Sequence, residues 1–167
     1  DLAFYDRGKQ FPYIIVSGIN GALNSVLFPV MSRSQDNLDR IKQVVRKTIR
    51  VSLFFVSSVL CFLVCAANSI VEVLMTTKWL PSVIYMQVLC FDALLWPVIT
   101  AHYNSFKAVG RSDVFLKYIT ITQIIGVSML IASISFGIFY VAISSVLSMI
   151  IQLMMLARIS RKSNNYL

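Results

Sequence analysis

Long uncharged runs, separated by short basic clusters, dominate the pattern along this chain. A helix rises 1.5 Å per residue, so crossing about 30 Å of hydrocarbon takes about 20 apolar residues. Five segments reach that length. The first runs from Phe11 to Ser32 and opens with Pro12, expected in the first turn, where a missing N–H does no harm. The second covers about 48–72 and is entered through the charged stretch 36–47, which starts with a capping residue at Asp36 and predicts an interfacial amphipathic helix. The third, about 80–106, follows the turn-like Thr76-Thr-Lys-Trp-Leu-Pro81, with Trp79 at headgroup level and Pro97 as a kink. No charge occurs from Tyr118 to Ala157. One helix of that run would reach about 60 Å, so it must fold back. Ser133-Ile-Ser-Phe-Gly137 is its weakest point and divides it into spans at about 114–133 and 137–157. These runs are too long for barrel strands. The expected fold class is an all-α, polytopic membrane helical bundle.

Composition agrees with that pattern. The chain is 57% hydrophobic and only 13% charged, too few charges to cover a water-facing surface. A soluble enzyme, a disordered tail and a disulfide scaffold are thereby excluded. The formal net charge of +8 would suggest nucleic acid in a soluble protein, but here the bases lie between apolar runs, where they set topology. Arg33, Arg40, Lys42, Arg46, Lys47, Arg50, Lys107, Arg111, Lys117, Arg158, Arg161 and Lys162 fall on one side of the five spans. Only Arg7, Lys9 and Lys78 fall on the other. Short basic loops resist translocation, so the 33–50 loop and the C-terminus are expected to be cytoplasmic. Cys61, Cys65 and Cys90 lie in apolar runs with no metal-ligand spacing and read as small membrane-buried residues. The chain begins at Asp1 without a basic-then-apolar leader and reads as a piece of a longer protein.

Several local patterns coincide with one family. Leu2-Ala-Phe-Tyr-Asp-Arg-Gly-Lys-Gln before the first span and Val26-Leu-Phe-Pro-Val-Met-Ser-Arg-Ser-Gln-Asp leaving it resemble the bacterial polysaccharide flippases. These are the O-antigen, capsule and exopolysaccharide exporters of the multidrug/oligosaccharidyl-lipid/polysaccharide superfamily. Lys78-Trp-Leu-Pro and Ala108-Val-Gly-Arg-Ser-Asp113 add to the resemblance in the same order. It implies helices eight to twelve of a two-bundle, twelve-helix inner-membrane transporter, with the missing amino-terminal bundle as a partner. It also implies an undecaprenyl-pyrophosphate-linked oligosaccharide as substrate, moved by alternating access, among membrane lipids and beside polysaccharide polymerase machinery.

No catalytic constellation, phosphate loop or metal cluster is visible, so an enzyme, a cofactor and a nucleic-acid partner are not expected. Asp92 carries the most information. A carboxylate deep in an apolar span costs several kcal/mol unless it faces protein or water. It enters about two-fifths of the third span, and burial disfavours its ionised form, which makes it a candidate proton carrier. A hydrogen bond to a neighbouring helix's Asn, Gln or Tyr is the structural alternative. On the first span Ser17, Asn20, Gly21 and Asn24 share one face, and Ile19, Leu23, Val26 and Val30 the other. Ser17, Gly21 and Ser25 fit close helix packing. Asn20 and Asn24 are candidate donors to sugar hydroxyls. His102, Tyr103 and Asn104 are candidates for the pyrophosphate, or else interfacial anchors; Gln123 is a further cavity candidate, although it and Gln152 more often serve as interhelical links. Two rival functions remain: an ion-coupled multidrug exporter, which would share Asp92, and a non-transporting scaffold of glycan assembly.

Overall fold

The computed structural model describes residues 2–33, 37–108, 110 and 112–162. Six α-helices account for nearly all of it: α1 Leu2–Ser32, α2 Leu38–Cys65, α3 Ala67–Met75, α4 Ser82–Ala108, α5 Ser112–Ile134 and α6 Ile138–Lys162, with a 3-10 turn at Thr77–Trp79. No strand occurs among the described residues. Five of the helices are long and apolar enough to cross a membrane.

The boundaries depart from the sequence pattern in three places. α1 begins at Leu2, so Pro12 lies inside the helix and not in its first turn. The charged stretch and the second span form one continuous helix, α2, because nothing between Arg40 and Arg50 breaks the backbone. Asn37, not Asp36, caps it. The Asn37 side chain accepts from the Arg40 N–H at 3.0 Å, and Asp39 sits in the first turn where the helix dipole favours an acid. Asp36 lies outside the described residues. Residues 66–72 are separated from α2 by a bend at Ala66, across which backbone bonds continue from Ala66 to Phe62 and from Ile70 to Ala66. The bend has no Gly or Pro to announce it.

α4 is the central helix and touches all the others. Val16 of α1, Val56 and Leu60 of α2, Val71 of α3, and Met86 and Ala93 of α4 form the largest apolar cluster. A second cluster at the other end of α1 joins Leu27 and Met31 to Ile41, Val45 and Ala101, which docks the apolar face of the charged stretch. Phe106, Tyr118 and Leu156 link α4 to α5 and α6. α5 and α6 pack antiparallel through a short turn in which Gly137 takes φ +111°, a conformation that favours glycine.

α1 meets α4 closely at Gly8, and not at the small-residue face of Ser17, Gly21 and Ser25. A Cβ on Gly8 would stand 2.8 Å from the Ser82 carbonyl oxygen and 2.9 Å from the Met86 nitrogen. Gly21 has nothing within 4 Å, and Ser17 and Ser25 are exposed. The buried stripe of α1 is instead Gly8, Pro12, Val16 and Asn20, an i, i+4 series, followed by Leu27 and Met31.

Candidate functional site

A cavity of about 580 Å³ lies between the α1–α4 pair and the α5–α6 pair. Its size falls within the range of small-molecule and cofactor sites. α1 contributes Tyr5, Tyr13, Asn20 and Asn24; α4 contributes Asp92, Trp96, Ile99, Thr100 and Tyr103. Along α1 the lining thus runs from Tyr5 to Asn24, a separation of 19 positions and about 28 Å of rise, nearly the thickness of the hydrocarbon layer. The facing wall is Thr122, Gln123, Gly126 and Leu130 of α5 with Val141, Ser144, Ser145, Ser148, Met149 and Gln152 of α6.

Asp92 is only 4% exposed. Tyr13 Oη donates to its Oδ2 at 2.6 Å, and the Lys9 ammonium lies 4.9 Å from the centroid of the Tyr13 ring. The Tyr13 ring also meets Trp96 edge to face, at 4.7 Å between centroids. The carboxylate therefore lines the cavity and is also tied to a neighbouring helix, so both sequence readings of it describe part of the geometry.

Hydroxyls on the facing wall are anchored by their own helix. Ser144 donates to the Val141 carbonyl and Ser145 to that of Ala142, both at 2.8 Å. Thr122 donates to Tyr118 and Ile119 carbonyls at 3.0 Å. With their protons engaged, these oxygens present lone pairs. Asn20 is buried, and its Oδ1 has no hydrogen-bond partner.

Of the seven residues singled out from sequence, Asn20, Asn24, Asp92, Tyr103 and Gln123 line the cavity. His102 and Asn104 do not. Asn104 is buried behind the wall, where its Nδ2 donates to Asn24 Oδ1 at 2.7 Å and to the Thr100 carbonyl at 2.9 Å. His102 is half-buried, and its Nδ1 is enclosed without a partner. Gln152, read as an interhelical link, lines the cavity, although its backbone carbonyl also accepts from Tyr118 Oη at 2.9 Å. Sequence reasoning passed over Tyr5, Tyr13, Trp96, Thr100 and the α6 serines. The i, i+1, i+4, i+8 spacing of Ser144, Ser145, Ser148 and Gln152 was the available signal, since it puts four polar groups on adjacent positions of one helix face. Among the described residues no group of His, Cys, Asp and Glu could hold a metal ion.

Five apolar helices, four of them around a polar cavity, define a multi-pass membrane protein. Residues 1–84 match the family described as polysaccharide biosynthesis protein, and the chain belongs to that family. Its role accordingly lies in polysaccharide biosynthesis or transport. No curated protein and no solved structure matches the chain.

Proposed function

We propose that the chain is part of a flippase that moves an oligosaccharide on an undecaprenyl-pyrophosphate carrier across the bacterial inner membrane by alternating access. The observation that carries this reading is the cavity itself: polar side chains from four helices, including a buried carboxylate, gathered where the chain crosses the membrane. Such groups are expensive there and are retained where they line a path for a polar cargo. A scaffold that binds partners without moving anything has no use for them. The family supports a glycan as that cargo.

In this reading the C-terminus and the 33–50 loop face the cytoplasm, and the rest of the path is supplied by the amino-terminal bundle of the same protein. Asp92 is the proton-coupling group. Asn20, Asn24 and Gln123 contact the cargo, and Asn104 positions Asn24. Membrane lipids surround the bundle, and the polysaccharide polymerase machinery receives the translocated unit. The ion-coupled multidrug exporter remains as a second reading because a buried carboxylate on the cavity wall also suits an amphipathic cation.

Deletion of the gene and measurement of surface glycan and of lipid-linked oligosaccharide in the cytoplasmic leaflet test the proposal. Loss of surface glycan with accumulation of the lipid-linked unit inside is expected. Normal glycan together with increased sensitivity to lipophilic cations would overturn it in favour of the exporter.

A further inference from the structure

On the side of α4 away from the cavity, α2 and α4 enclose an apolar groove of about 280 Å³. Ser57, Cys61 and Val64 of α2 and Cys90, Phe91 and Leu94 of α4 line it. At 100° per residue these α4 positions fall opposite Asp92, Trp96 and Ile99, which line the cavity. Ser57, Cys61 and Cys90 are small where a helix contact would take a larger side chain, and the space between the helices stays open. The Ser57 hydroxyl donates to its own helix, at the Phe54 carbonyl 3.1 Å away. No polar proton in the groove therefore calls for water. Both helices are membrane spans, so the medium beside the exposed Phe91 is hydrocarbon, and a chain fitted into the gap recovers dispersion contacts that an empty one forfeits.

The same face of α2 carries the charge. Arg46, Arg50, Ser57, Cys61 and Val64 form an i, i+4, i+11, i+15, i+18 series, the repeat of a single helical stripe. The stripe exists only because α2 is one helix from Leu38 to Cys65; a charged segment lying flat on the membrane, as the sequence pattern suggests, would turn the arginines out of line. No charge occurs from Val51 to Val71, about 30 Å of helix, which matches the hydrocarbon layer. Arg50 therefore marks its edge, and Arg46 stands one turn, about 6 Å, farther out, at the depth of lipid phosphates. Both arginines are exposed, and among the described residues neither pairs with an acid. The acid of α2, Asp39, lies two turns beyond Arg46 and pairs with Lys42 at 3.9 Å. A guanidinium donates to two phosphate oxygens at once, so charge and geometry both suit a phosphate here.

We propose that the groove between α2 and α4 holds one acyl chain of an anionic phospholipid, from the leaflet on the Leu38 side of α2, with the lipid's phosphate on Arg46 and Arg50. From Arg50 to Val64 the stripe runs about 21 Å, the reach of an extended acyl chain below its headgroup. The bound chain packs against the back of the helix that carries Asp92. The site lies outside the cavity and requires only that α2 and α4 span the membrane, so it does not rest on the flippase reading.

The test uses the complete protein, expressed from its whole reading frame, in nanodiscs of phosphatidylethanolamine doped with phosphatidylglycerol that bears a diazirine in one acyl chain. After irradiation, adducts are mapped by peptide mass spectrometry. They should concentrate on residues 57–64 and 90–94, and unlabelled phosphatidylglycerol should displace them. Loss of both bases in Arg46→Gln/Arg50→Gln should lower that labelling by about thirtyfold at limiting lipid. Arg40→Gln, about 9 Å beyond Arg46 and in screening solvent, should change it by less than about twofold. Cys61→Leu fills the groove and should abolish the adducts with the arginines intact; Ser57→Val replaces it should that variant not fold. Variants are compared only after gel filtration and thermal melting show wild-type folding. Adducts spread evenly over the lipid-facing helices, equal labelling by the matching phosphatidylethanolamine probe, or an effect of Arg40→Gln as large as that of the pair would each overturn the site. So would a groove left unlabelled in folded protein because another segment or a second copy covers it. Stronger displacement by undecaprenyl diphosphate than by phosphatidylglycerol would overturn it as well, by assigning the groove to the carrier's chain.

Discussion

Tyr13 and Asp92 meet across the α1–α4 contact through a 2.6 Å hydrogen bond, ten residues into α4 from Ser82, about 15 Å along its axis. The bond gives the buried carboxylate its partner, and the two residues can be separated by mutation. Tyr13→Phe keeps the ring against Trp96 and removes the hydroxyl. A buried acceptor left without its donor should lower stability by about 1–3 kcal/mol, read as a lower melting temperature in detergent. An unchanged melting temperature would show that Asp92 finds another partner without cost.

Asp92→Asn should preserve size and most hydrogen bonding while removing the titratable group. If Asp92 carries a proton, export in this variant should fail or lose its dependence on pH, at normal membrane abundance. Asp92→Leu should lower abundance as well, through the unpaired Tyr13 hydroxyl, by about 1 kcal/mol of helix association. Export by Asp92→Asn that is normal and still responds to pH eliminates the coupling role.

Gly8 and Gly21 make a paired test of where α1 packs. A methyl at Gly8 meets backbone atoms of Ser82 and Met86 below 3.0 Å, and backbone cannot rotate away. Gly8→Ala should therefore separate the helices locally and destabilise by about 1–3 kcal/mol, the cost typical of forced overpacking. At Gly21 the same methyl meets open space. Gly21→Ala should be neutral or stabilising by up to about 1 kcal/mol through helix propensity. Thermal melting of both variants side by side decides the matter, and the reverse order would place the tight contact at Gly21.

Thr76 ends α3 at φ 77° and ψ 162°, a region open essentially to glycine alone. Thr76→Gly should relieve that strain and stabilise the protein by about 1 kcal/mol, even after the entropic cost of glycine. Thr76→Ala keeps the strain and should not stabilise. A melting temperature raised equally by both would refute the strained backbone.

Orientation is checked with single cysteines in a background where Cys61, Cys65 and Cys90 are replaced. Thr77→Cys should label with an impermeant maleimide in intact cells, and Ser34→Cys and Ser163→Cys should not. Ser34 and Ser163 lie outside the described residues, so their part of the expectation rests on the distribution of bases alone. Labelling of either from outside would invert the assigned topology.

The existence of five apolar crossings was legible because it depends on length without charge, a property the sequence carries directly. Asp92 was legible for the same reason, as a charge where none is expected. Ser144, Ser145 and Ser148 were not, because a serine in a helix satisfies itself on a carbonyl one turn back, and sequence does not distinguish that role from one facing a cavity. Gly8 was hidden in a charged stretch that the hydropathy pattern assigned to the region before the span. His102 and Asn104 went astray for a geometric reason. They neighbour Tyr103 in sequence, but successive residues turn 100° around a helix, and only Tyr103 lines the cavity.

Beyond the Tyr13–Asp92 bond, two further tight contacts of α1 with α4 lie at opposite ends. Gly8 is pressed onto the start of α4, and Asn24 is bonded to Asn104 near its finish, a separation of about 24 Å along α1. Two helices fastened at both ends neither slide nor pivot past one another, and they act as a single beam. The opposite wall is a hairpin whose turn at Gly137 is fastened to nothing comparable. Within this chain, any parting of the cavity walls would therefore displace α5 with α6 against the beam that carries Asp92.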